Sequence, residues 1–335
     1  MTTNFPGSIL DIEYHLPEKI ISNLEFADKF PEWKIDQAVD RVGVIERRYA
    51  HEKETALDLA EIAVHKLFKK HPQLSETVDG VIFCTQSPDY IMPSNSFLIQ
   101  KIFNLRKNLI AFDFNLACSG YIYGLMIASS LIKTGMCKNI LLITGDTYSK
   151  YLREDDRSTR LLFGDGASVS WIGESNLSTP EPLISKFIDF QCSSDGAGWD
   201  KFIIKSGGSR TSSADVDIEQ SKIYMNGLQV LNFVNSKVTV QIKEILHKNL
   251  MTANTIDLYL FHQASKLALD SLANYFKIPN DKTFSNLAKI GNTVSSSIPI
   301  LIKDYFDSHQ IEKESNVLIS GFGVGFSWGS LLAKR

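Results

Sequence analysis

Short apolar runs alternate along the chain with longer stretches in which apolar positions recur every three or four residues. The runs typical of buried strands are VDGVIFCTQ, NILLITGD, ASVSWIG, TIDLYLFHQ and NVLISGFG. Helical periodicity is clearest in ETALDLAEIAVHKLFKKH and GLQVLNFVNSKVTVQIKEILHKNL. Strands that alternate with helices predict an α/β protein with layers packed around a largely buried sheet.

Three segments of the first half are similar to three segments of the second, in the same order and at nearly constant separation. DGVIFCTQS resembles DLYLFHQAS, NLACSGYIYGLMIASSLIK resembles NLAKIGNTVSSSIPILIKD, and NILLITGD resembles NVLISGFG. Such a repeat predicts a duplicated α/β unit, with one half at 1–175 and the other at 183–335. We expect the joint near 174–182 and a surface loop, rich in Ser and Gly, at 205–222.

Composition limits the classes of partner. The 335 residues include 35 Lys and Arg against 38 Asp and Glu, so there is no basic excess for binding nucleic acid. The N-terminus has no signal-peptide pattern, and no apolar run has the length of a membrane span, which predicts a cytoplasmic protein without membrane insertion. The four cysteines form no C-x-x-C pair and have no nearby His, so we expect free thiols and no metal site.

The repeat brings three polar residues into one predicted site. Cys118 and Asn292 occupy nearly corresponding places, each where a strand-like segment passes through a Gly into a helix, and His262 ends a strand. A cysteine at a helix N-terminus is favoured as thiolate by the helix dipole and by exposed amides. Its small neighbours in ACSG leave room for a substrate, so Cys118 is predicted to be a nucleophile.

Each of these residues also has a purely structural interpretation. A free cysteine is usually a small buried hydrophobe, and we favour that interpretation for the other cysteines, which are Cys84, Cys137 and Cys192. His262 alone would be read as a core-edge histidine bonded to a carbonyl, and Asn292 as a cap or turn residue. The Gly-rich run at 321–329 lacks the phosphate-loop pattern but can bring a backbone amide close to an oxyanion.

Five motifs in order carry a family resemblance. The chain resembles the ketoacyl-acyl-carrier-protein synthase III family of thiolase-fold condensing enzymes over nearly its whole length. The motifs are ACSG around Cys118, FGDGA at 163–167, HQA at 262–264, GNT at 291–293 and GFGVGFSWG at 321–329. The resemblance implies a five-layered αβαβα thiolase-like fold and a homodimer.

The resemblance also implies a reaction. Its Cys-His-Asn triad corresponds to Cys118, His262 and Asn292, and backbone amides of Cys118 and Val324 correspond to its oxyanion hole. Cys118 would take an acyl group from acyl-coenzyme A. His262 and Asn292 would then hold a malonyl-type thioester, expected on an acyl carrier protein, while it loses carbon dioxide and condenses to a 3-oxoacyl thioester. Coenzyme A thioesters are substrates here, and no cofactor is implied.

Substrate-binding positions follow from the same resemblance. Arg41 and Arg157 match arginines that contact the coenzyme A nucleotide in relatives, and Gly227 matches the segment that lines the pantetheine tunnel. Met92 occupies the place where many members have a Phe that crosses the dimer interface and closes the partner's acyl pocket. Simple interface packing is an equally good interpretation of Met92.

The chain departs from the family pattern at several of these sites. Ser265 replaces the Asn of HQAN, and Lys266 is followed by an apolar residue, so carrier-protein docking is expected to differ. Relatives place a Trp that stacks on adenine at a fixed spacing before the arginine that corresponds to Arg41. Gln37 is at that spacing here, and Trp33 lies further before Arg41. These departures favour a specialised lipid, polyketide or sugar-acyl pathway slightly over primary fatty-acid initiation.

Related activities can be weighed from single residues. Hydroxymethylglutaryl-CoA synthases need a Glu where this chain has Gln86, and a thiolase needs a second cysteine beyond Cys192. Retention of Asn292 favours decarboxylative condensation over an acyltransferase that forms an ester or amide. That acyltransferase, a Cys-His hydrolase and a catalytically silent subunit stay open as alternatives.

Overall fold

The chain folds into two large stacked β-sheets with helices outside and between them, and two small two-stranded sheets, β2–β3 and β9–β10, lie apart from these. The computed structural model describes residues 5–176, 179–211 and 217–335, so parts of the predicted joint (177–178) and of the predicted loop (212–216) lie outside the described residues. The strands are β1 Ser8–His15, β2 Ile20–Ser22, β3 Glu46–Arg48, β4 Gly80–Cys84, β5 Ile110–Phe114, β6 Asn139–Asp146, β7 Gly166–Gly173, β8 Lys186–Ser194, β9 Phe202–Ile203, β10 Tyr224–Met225, β11 Leu258–Phe261, β12 Asn316–Gly323 and β13 Ser327–Lys334.

The helices include those predicted from periodicity. The full set is α1 Asn23–Lys29, α2 Ile35–Val42, α3 Ala56–Lys70, α4 Leu74–Thr77, α5 Asn95–Ile102, α6 Gly120–Lys133, α7 Arg157–Arg160, α8 Gly227–Phe233, α9 Thr239–Lys248, α10 Lys266–Phe276, α11 Leu287–Ile290 and α12 Ser297–Ser308. The first predicted stretch contains α3, and the second contains α8 and α9. A π-helical turn, Val234–Val238, makes α8 and α9 continuous. No helix among the described residues is both long enough and apolar enough to cross a membrane.

The two sheets have the same strand order, which is the topology expected of a duplicated unit. The first is ordered β1-β7-β6-β4-β5 and the second β8-β13-β12-β11. In both, the first two neighbouring pairs are antiparallel and the next is parallel. Where the first sheet continues with β5, the second has only an isolated parallel bridge between Tyr259 and Thr283. The strands lie within the two predicted halves, whose limits stay a prediction.

Layering follows from where apolar surface must be buried. Helix α6 packs against strands of both sheets, and α12 contacts β1 and β7 of one sheet and β11 of the other. Both therefore form a central layer with one shared core. Helices α3 and α5 cover the outer face of the first sheet, and α9 and α10 cover the second. The order of layers is αβαβα, which confirms the predicted fold class.

Local sequence explains the central helix. The segment GYIYGLMIASSLIK has its only charged residue, Lys133, at its end, as expected for a helix surrounded by protein. Gly120 begins this helix against the end of β4. A Cβ at Gly120 would lie 2.3 Å from the Cys84 sulfur, so glycine is needed for the close approach. The start of α6 is thereby fixed, with Ser119 and before it Cys118 leading into the helix.

Candidate active site

Cys118 lies in the turn that joins β5 to α6. Ser119 is the N-cap of α6, so Cys118 stands one residue before the cap rather than in the first turn of the helix. Its side chain is 4% exposed. The apolar residues around it include Tyr148 and Phe163 from the N-terminal half and Val294 from the C-terminal half. The predicted nucleophile is therefore at a junction of the two halves.

The end of β12 approaches Cys118 so closely that only glycine fits. A Cβ at Gly323 would lie 3.1 Å from Cys118 Sγ, and a Cβ at Gly321 would lie 2.6 Å from the Cys118 carbonyl oxygen. Next to these contacts, the Ser119 and Ser327 hydroxyls are 2.7 Å apart, and Ser327 donates to the Val324 carbonyl at 2.8 Å. The Gly-rich loop is thus fixed against the turn that carries the cysteine.

His262 follows the last residue of β11 and is 1% exposed. Its backbone N–H donates to Ser320 of β12 at 2.9 Å, and its ring packs edge-on against Phe322, with ring centres 5.6 Å apart. Phe322 directly precedes Gly323, so one strand end contacts both His262 and Cys118. Burial lowers the pKa of His262 from 6.5 to about 3, which keeps the imidazole neutral at physiological pH.

Asn292 is positioned by the FGDGA segment. Its backbone N–H donates to Leu162 at 2.9 Å, and its carbonyl accepts from the Gly164 N–H at 3.0 Å. The side-chain Oδ1 accepts from the Val294 N–H at 2.9 Å, which fixes the orientation of the amide. Asn292 Nδ2 consequently faces His262 Nε2, 3.3 Å away. The structure thus brings together Asn292 and His262, two of the three residues of the predicted site.

Electrostatics at Cys118 differ from the expectation of a stabilised thiolate. Burial raises the pKa of the Cys118 thiol, the negative charge of Asp146 raises it further, and a hydrogen bond from the cysteine's own backbone N–H opposes them. The resting form is a thiol because the side chain is enclosed by apolar groups and faces a carboxylate. A helix end that begins two residues later does not outweigh these effects.

A cavity of about 240 Å³ brings together two predicted coenzyme A contacts. Arg41 near the end of α2 and Arg157 at the start of α7 both line it, with Gln37 on the same wall. Two guanidinium groups beside one opening suit a phosphorylated ligand. Trp33 does not line this cavity, because it is buried and stacked on Phe30 at a ring distance of 4.2 Å.

An apolar cavity of about 220 Å³ contains the predicted tunnel residue Gly227. It lies between α8 and the start of α10, with Leu228, Ala264 and Ser265 among its walls. Ser265 is the N-cap of α10 and accepts a hydrogen bond from the Ala268 N–H at 3.3 Å. Ser and Asn are both strong N-caps, so the replacement of Asn in the HQAN pattern preserves the start of this helix.

Met92 lies in a loop that the single chain leaves uncovered. It is 80% exposed, and its neighbour Ile91 is 94% exposed. The helix that follows this loop, α5, packs against β5, which is an edge strand of the first sheet. An exposed apolar loop beside an unpaired strand edge is the kind of surface that folded proteins cover with a partner.

Sequence reasoning missed Asp146, the residue that ends β6. It is fully buried and accepts hydrogen bonds from the Gln86 N–H at 2.8 Å and the Ser295 hydroxyl at 2.5 Å. The available signal was a carboxylate directly after the apolar run NILLITG, which places a charge at a strand end beside the site. Within the described parts of the chain, no group of three or more His, Cys, Asp and Glu is arranged to hold a metal ion.

Comparisons with known proteins agree with this geometry. Residues 112–196 match the family model described as 3-oxoacyl-[acyl-carrier-protein] synthase III, and residues 246–335 match the model of its C-terminal region. A beta-ketoacyl-[acyl-carrier-protein] synthase III of Chlamydia caviae is 33% identical over 96% of this chain and 94% of its own. The protein of that name from Campylobacter curvus is 34% identical over 98% of this chain and 96% of its own.

Solved structures include an equally similar protein. A crystal structure described as 3-oxoacyl-(acyl-carrier-protein) synthase III superposes with a TM-score of 0.91 at 34% identity, covering 98% of this chain and 100% of that one. Similarity therefore extends over both halves and includes the segments that carry Cys118, His262 and Asn292.

Proposed function

The chain belongs to the 3-oxoacyl-acyl-carrier-protein synthase III family, and from this premise we propose that it catalyses decarboxylative condensation of an acyl group with a malonyl-type thioester. The observation that carries the proposal is the pairing of Asn292 Nδ2 with His262 Nε2 at 3.3 Å beside a buried cysteine. Two neutral donors at one point suit an enolate oxygen. The product is a 3-oxoacyl thioester, which would begin a fatty-acid or related lipid chain.

The first step we propose is loading of Cys118. Its sulfur attacks the carbonyl carbon of acyl-coenzyme A, the thiol proton ends on the departing coenzyme A thiol, and an acyl-cysteine remains. The carbonyl oxygen carries negative charge in the tetrahedral intermediate, and backbone N–H groups of Cys118 and Val324 are our candidates to stabilise it. Support for Val324 is that a Cβ at its neighbour Gly323 would lie 3.1 Å from the Cys118 sulfur, so this strand end runs close to the cysteine.

The second step is decarboxylation and carbon–carbon bond formation. The malonyl carboxylate leaves as carbon dioxide, and its bonding electron pair passes into the enolate of the remaining thioester. His262, as the neutral Nε2–H tautomer, and Asn292 donate hydrogen bonds to the enolate oxygen. The enolate carbon then attacks the acyl-cysteine carbonyl and displaces the Cys118 sulfur, which takes up a proton from solvent. A pKa of about 3 for His262 supports this role, since the ring donates without becoming charged.

We propose that coenzyme A lies across the two cavities. Its phosphates would contact Arg41 and Arg157, and its pantetheine arm would pass along the apolar walls near Gly227 toward Cys118. No resident cofactor is needed in this scheme, because carbon dioxide release drives the condensation and the chain's own donors stabilise both oxyanions. The extender would be held by a carrier protein, and support for this is that the relatives are named as synthases of a beta-ketoacyl-[acyl-carrier-protein].

We also propose a homodimer and a cytoplasmic location. Pairing of β5 with a second copy would cover the exposed loop that holds Tyr90, Ile91 and Met92. Light scattering should give the mass of a dimer, and Ile91→Asp should give monomer while Leu250→Asp, at an equally exposed position, leaves the dimer intact. A cytoplasmic location is supported by four unpaired cysteines, and cell fractionation would test it.

Separating the half-reactions tests the function. Intact-mass analysis follows acyl transfer from acyl-coenzyme A to Cys118, and carbon dioxide release follows decarboxylation of the malonyl thioester. We expect Asn292→Asp and His262→Ala to keep loading and lose decarboxylation, whereas the control His247→Ala, at an exposed position in α9, keeps both. Loss of loading alone in both variants would contradict the assigned roles.

The same assay distinguishes the alternatives. Steady hydrolysis of acyl-coenzyme A without extender would indicate a Cys-His hydrolase. An acyl-cysteine that is discharged to an alcohol or amine without carbon dioxide would indicate an ester- or amide-forming acyltransferase. No adduct on Cys118 with any acyl-coenzyme A would indicate a silent subunit.

A further inference from the structure

Asp146 is a buried carboxylate for which the proposed chemistry has no use. It ends β6 with no measurable exposure and accepts hydrogen bonds from the Gln86 N–H at 2.8 Å, the Ser295 hydroxyl at 2.5 Å and the Ser295 N–H at 3.4 Å. In residues 5–176, 179–211 and 217–335, no cationic side chain lies within ion-pair distance of it. Burying a carboxylate without a cationic partner costs free energy, which suggests that Asp146 has a role at this position.

One set of contacts leads from Asp146 to the turn that carries Cys118. The carboxylate holds the Gln86 backbone just after β4. The Gln86 side chain accepts a hydrogen bond from the Tyr148 hydroxyl and donates to Asn115 Oδ1 at 2.8 Å. Asn115 lies three residues before Cys118 in the same turn. Asp146 therefore stabilises the strand end on which the nucleophile's turn depends.

The other set leads to Asn292. Ser295 directly follows Val294, whose φ of 54° is a left-handed conformation that a β-branched residue rarely adopts. Such a conformation persists only where neighbouring contacts enforce it, and Asp146 binds both the hydroxyl and the N–H of the next residue. The Val294 N–H in turn holds Asn292 Oδ1, which aims Asn292 Nδ2 at His262.

On the basis of the function proposed above, we propose that Asp146 is a positioning residue that fixes the Asn292 turn of one half against the Cys118 turn of the other. It contacts neither of these two side chains in the hydrogen-bond network and acts through Ser295 and Gln86. Asp146 ends β6 in the N-terminal half, and Asn292 lies in the turn after α11 in the C-terminal half. The contact with Ser295 therefore lets a residue of one half influence a donor of the other.

The charge of Asp146 gives the proposal a second, independent readout. Burial raises the pKa of Asp146 to about 7, while hydrogen bonds from Ser295, Gln86 and Thr85 lower it. The titratable groups on which its charge acts are Cys84, Cys118, Tyr148 and Tyr151, and it raises the pKa of each. Asp146→Asn keeps an acceptor for the Gln86 N–H but removes the charge, so the Cys118 thiolate should form at lower pH.

The first experiment cuts the link at Ser295 in the full-length protein. We expect Ser295→Ala to lower the kcat of malonyl decarboxylation at least about 10-fold, as misplacement of a donor does, while the rate of Cys118 loading stays within about 3-fold. The matched control is Ser129→Ala, which also removes a buried hydroxyl. Ser129 lies in α6, far along the helix from Cys118, and its hydroxyl donates to the Pro6 carbonyl. Equal loss of both half-reactions, or no loss, would overturn the proposal.

The second experiment measures the pH dependence of Cys118 alkylation by iodoacetamide. Asp146→Asn should shift the profile about one unit toward lower pH. Asp165→Asn should not, because that buried carboxylate bonds to Ala50 and Ser149 and its charge is not among those that shift the Cys118 pKa. An unchanged Asp146→Asn profile would contradict the placement of its charge beside the thiol.

The two experiments also separate this proposal from the proposed function. If the unmodified protein is alkylated at Cys118 but releases no carbon dioxide from any malonyl thioester, the condensing function fails. The alkylation profiles of Asp146→Asn and Asp165→Asn still decide whether Asp146 acts on Cys118. If the unmodified protein condenses normally while Ser295→Ala behaves like Ser129→Ala, the function stands and the positioning role is refuted.

Discussion

A single methyl group at Gly323 tests whether the end of β12 forms part of the loading site. An ideal Cβ there would lie 3.0 Å from the Cys118 Cβ and 3.1 Å from its sulfur. Both distances are shorter than an ordinary carbon contact, so the cysteine or the strand must move by a few tenths of an ångström. In the proposed mechanism the acyl-cysteine would have even less room, because its carbonyl would sit against the backbone of the same strand end.

Gly323→Ala is expected to reduce the rate of Cys118 loading more strongly than it reduces the stability of the fold. Overpacking of this kind lowers the free energy of unfolding by about 1 to 3 kcal/mol. Displacing a backbone donor from an oxyanion costs about 100- to 1,000-fold in rate. We therefore expect the loading of Cys118 from acyl-coenzyme A to slow by roughly 100-fold or more, as measured by a time course of intact mass. The free energy of unfolding in urea should change much less.

Gly196→Ala is the matched control for this prediction. A Cβ at Gly196 meets no atom within 4 Å, and its backbone does not have a positive φ. The control should load at the rate of the unmodified protein. A folded Gly323→Ala variant that also loads at that rate would refute the reasoning, because the methyl group would then lie in space that the acyl transfer does not use.

Three further predictions concern other parts of the site. Gly164→Ala places a Cβ 2.4 Å from the Ile290 carbonyl oxygen and should abolish carbon dioxide release by displacing the turn that follows, with loading retained; normal release would contradict it. His262 has a pKa of about 3 when folded and 6.5 when unfolded, so the unfolded state binds more protons below pH 6.5 and acid destabilises the native state. Between pH 6.5 and pH 5, the free energy of unfolding measured in urea should fall by about 2 kcal/mol more for the unmodified protein than for His262→Asn. An equal fall in both proteins would contradict a His262 that is buried in its neutral form. Arg157→Ala should raise the KM for acyl-coenzyme A about 10-fold and Gln37→Trp should lower it, with kcat unchanged in steady-state assays; an unchanged KM in both would place the nucleotide elsewhere.

The α/β class and the grouping of Cys118, His262 and Asn292 around one predicted site were accessible from sequence because the chain repeats itself, whereas the five-layered order came from the family resemblance. The repeat paired Cys118 with Asn292 and placed His262 at an equivalent strand end, and the two sheets indeed share one strand order. Strand and helix periodicity located β4, β6, β7, β11 and β12 and the helices α3, α8 and α9, since buried strands and amphipathic helices carry strong patterns.

Other features depended on tertiary contacts that no local pattern encodes. From sequence, Asp146 is only the last residue of an apolar strand. Its partner Ser295 is distant in the chain, so no local pattern indicates their hydrogen bond. The pKa of Cys118 is raised rather than lowered, since enclosure and a nearby carboxylate act more strongly than a helix that starts two residues later. Trp33 is close in sequence to the predicted nucleotide site, but its ring stacks on Phe30 rather than lining that site.

One time course tests the central claim most directly. The protein is first incubated with acyl-coenzyme A until intact mass shows an adduct, which peptide mapping assigns to Cys118, and a malonyl-carrier thioester is then added. We predict that the adduct disappears as one carbon dioxide and one 3-oxoacyl thioester form per acyl group. Discharge of the adduct without carbon dioxide, or an adduct at any residue other than Cys118, would contradict the account.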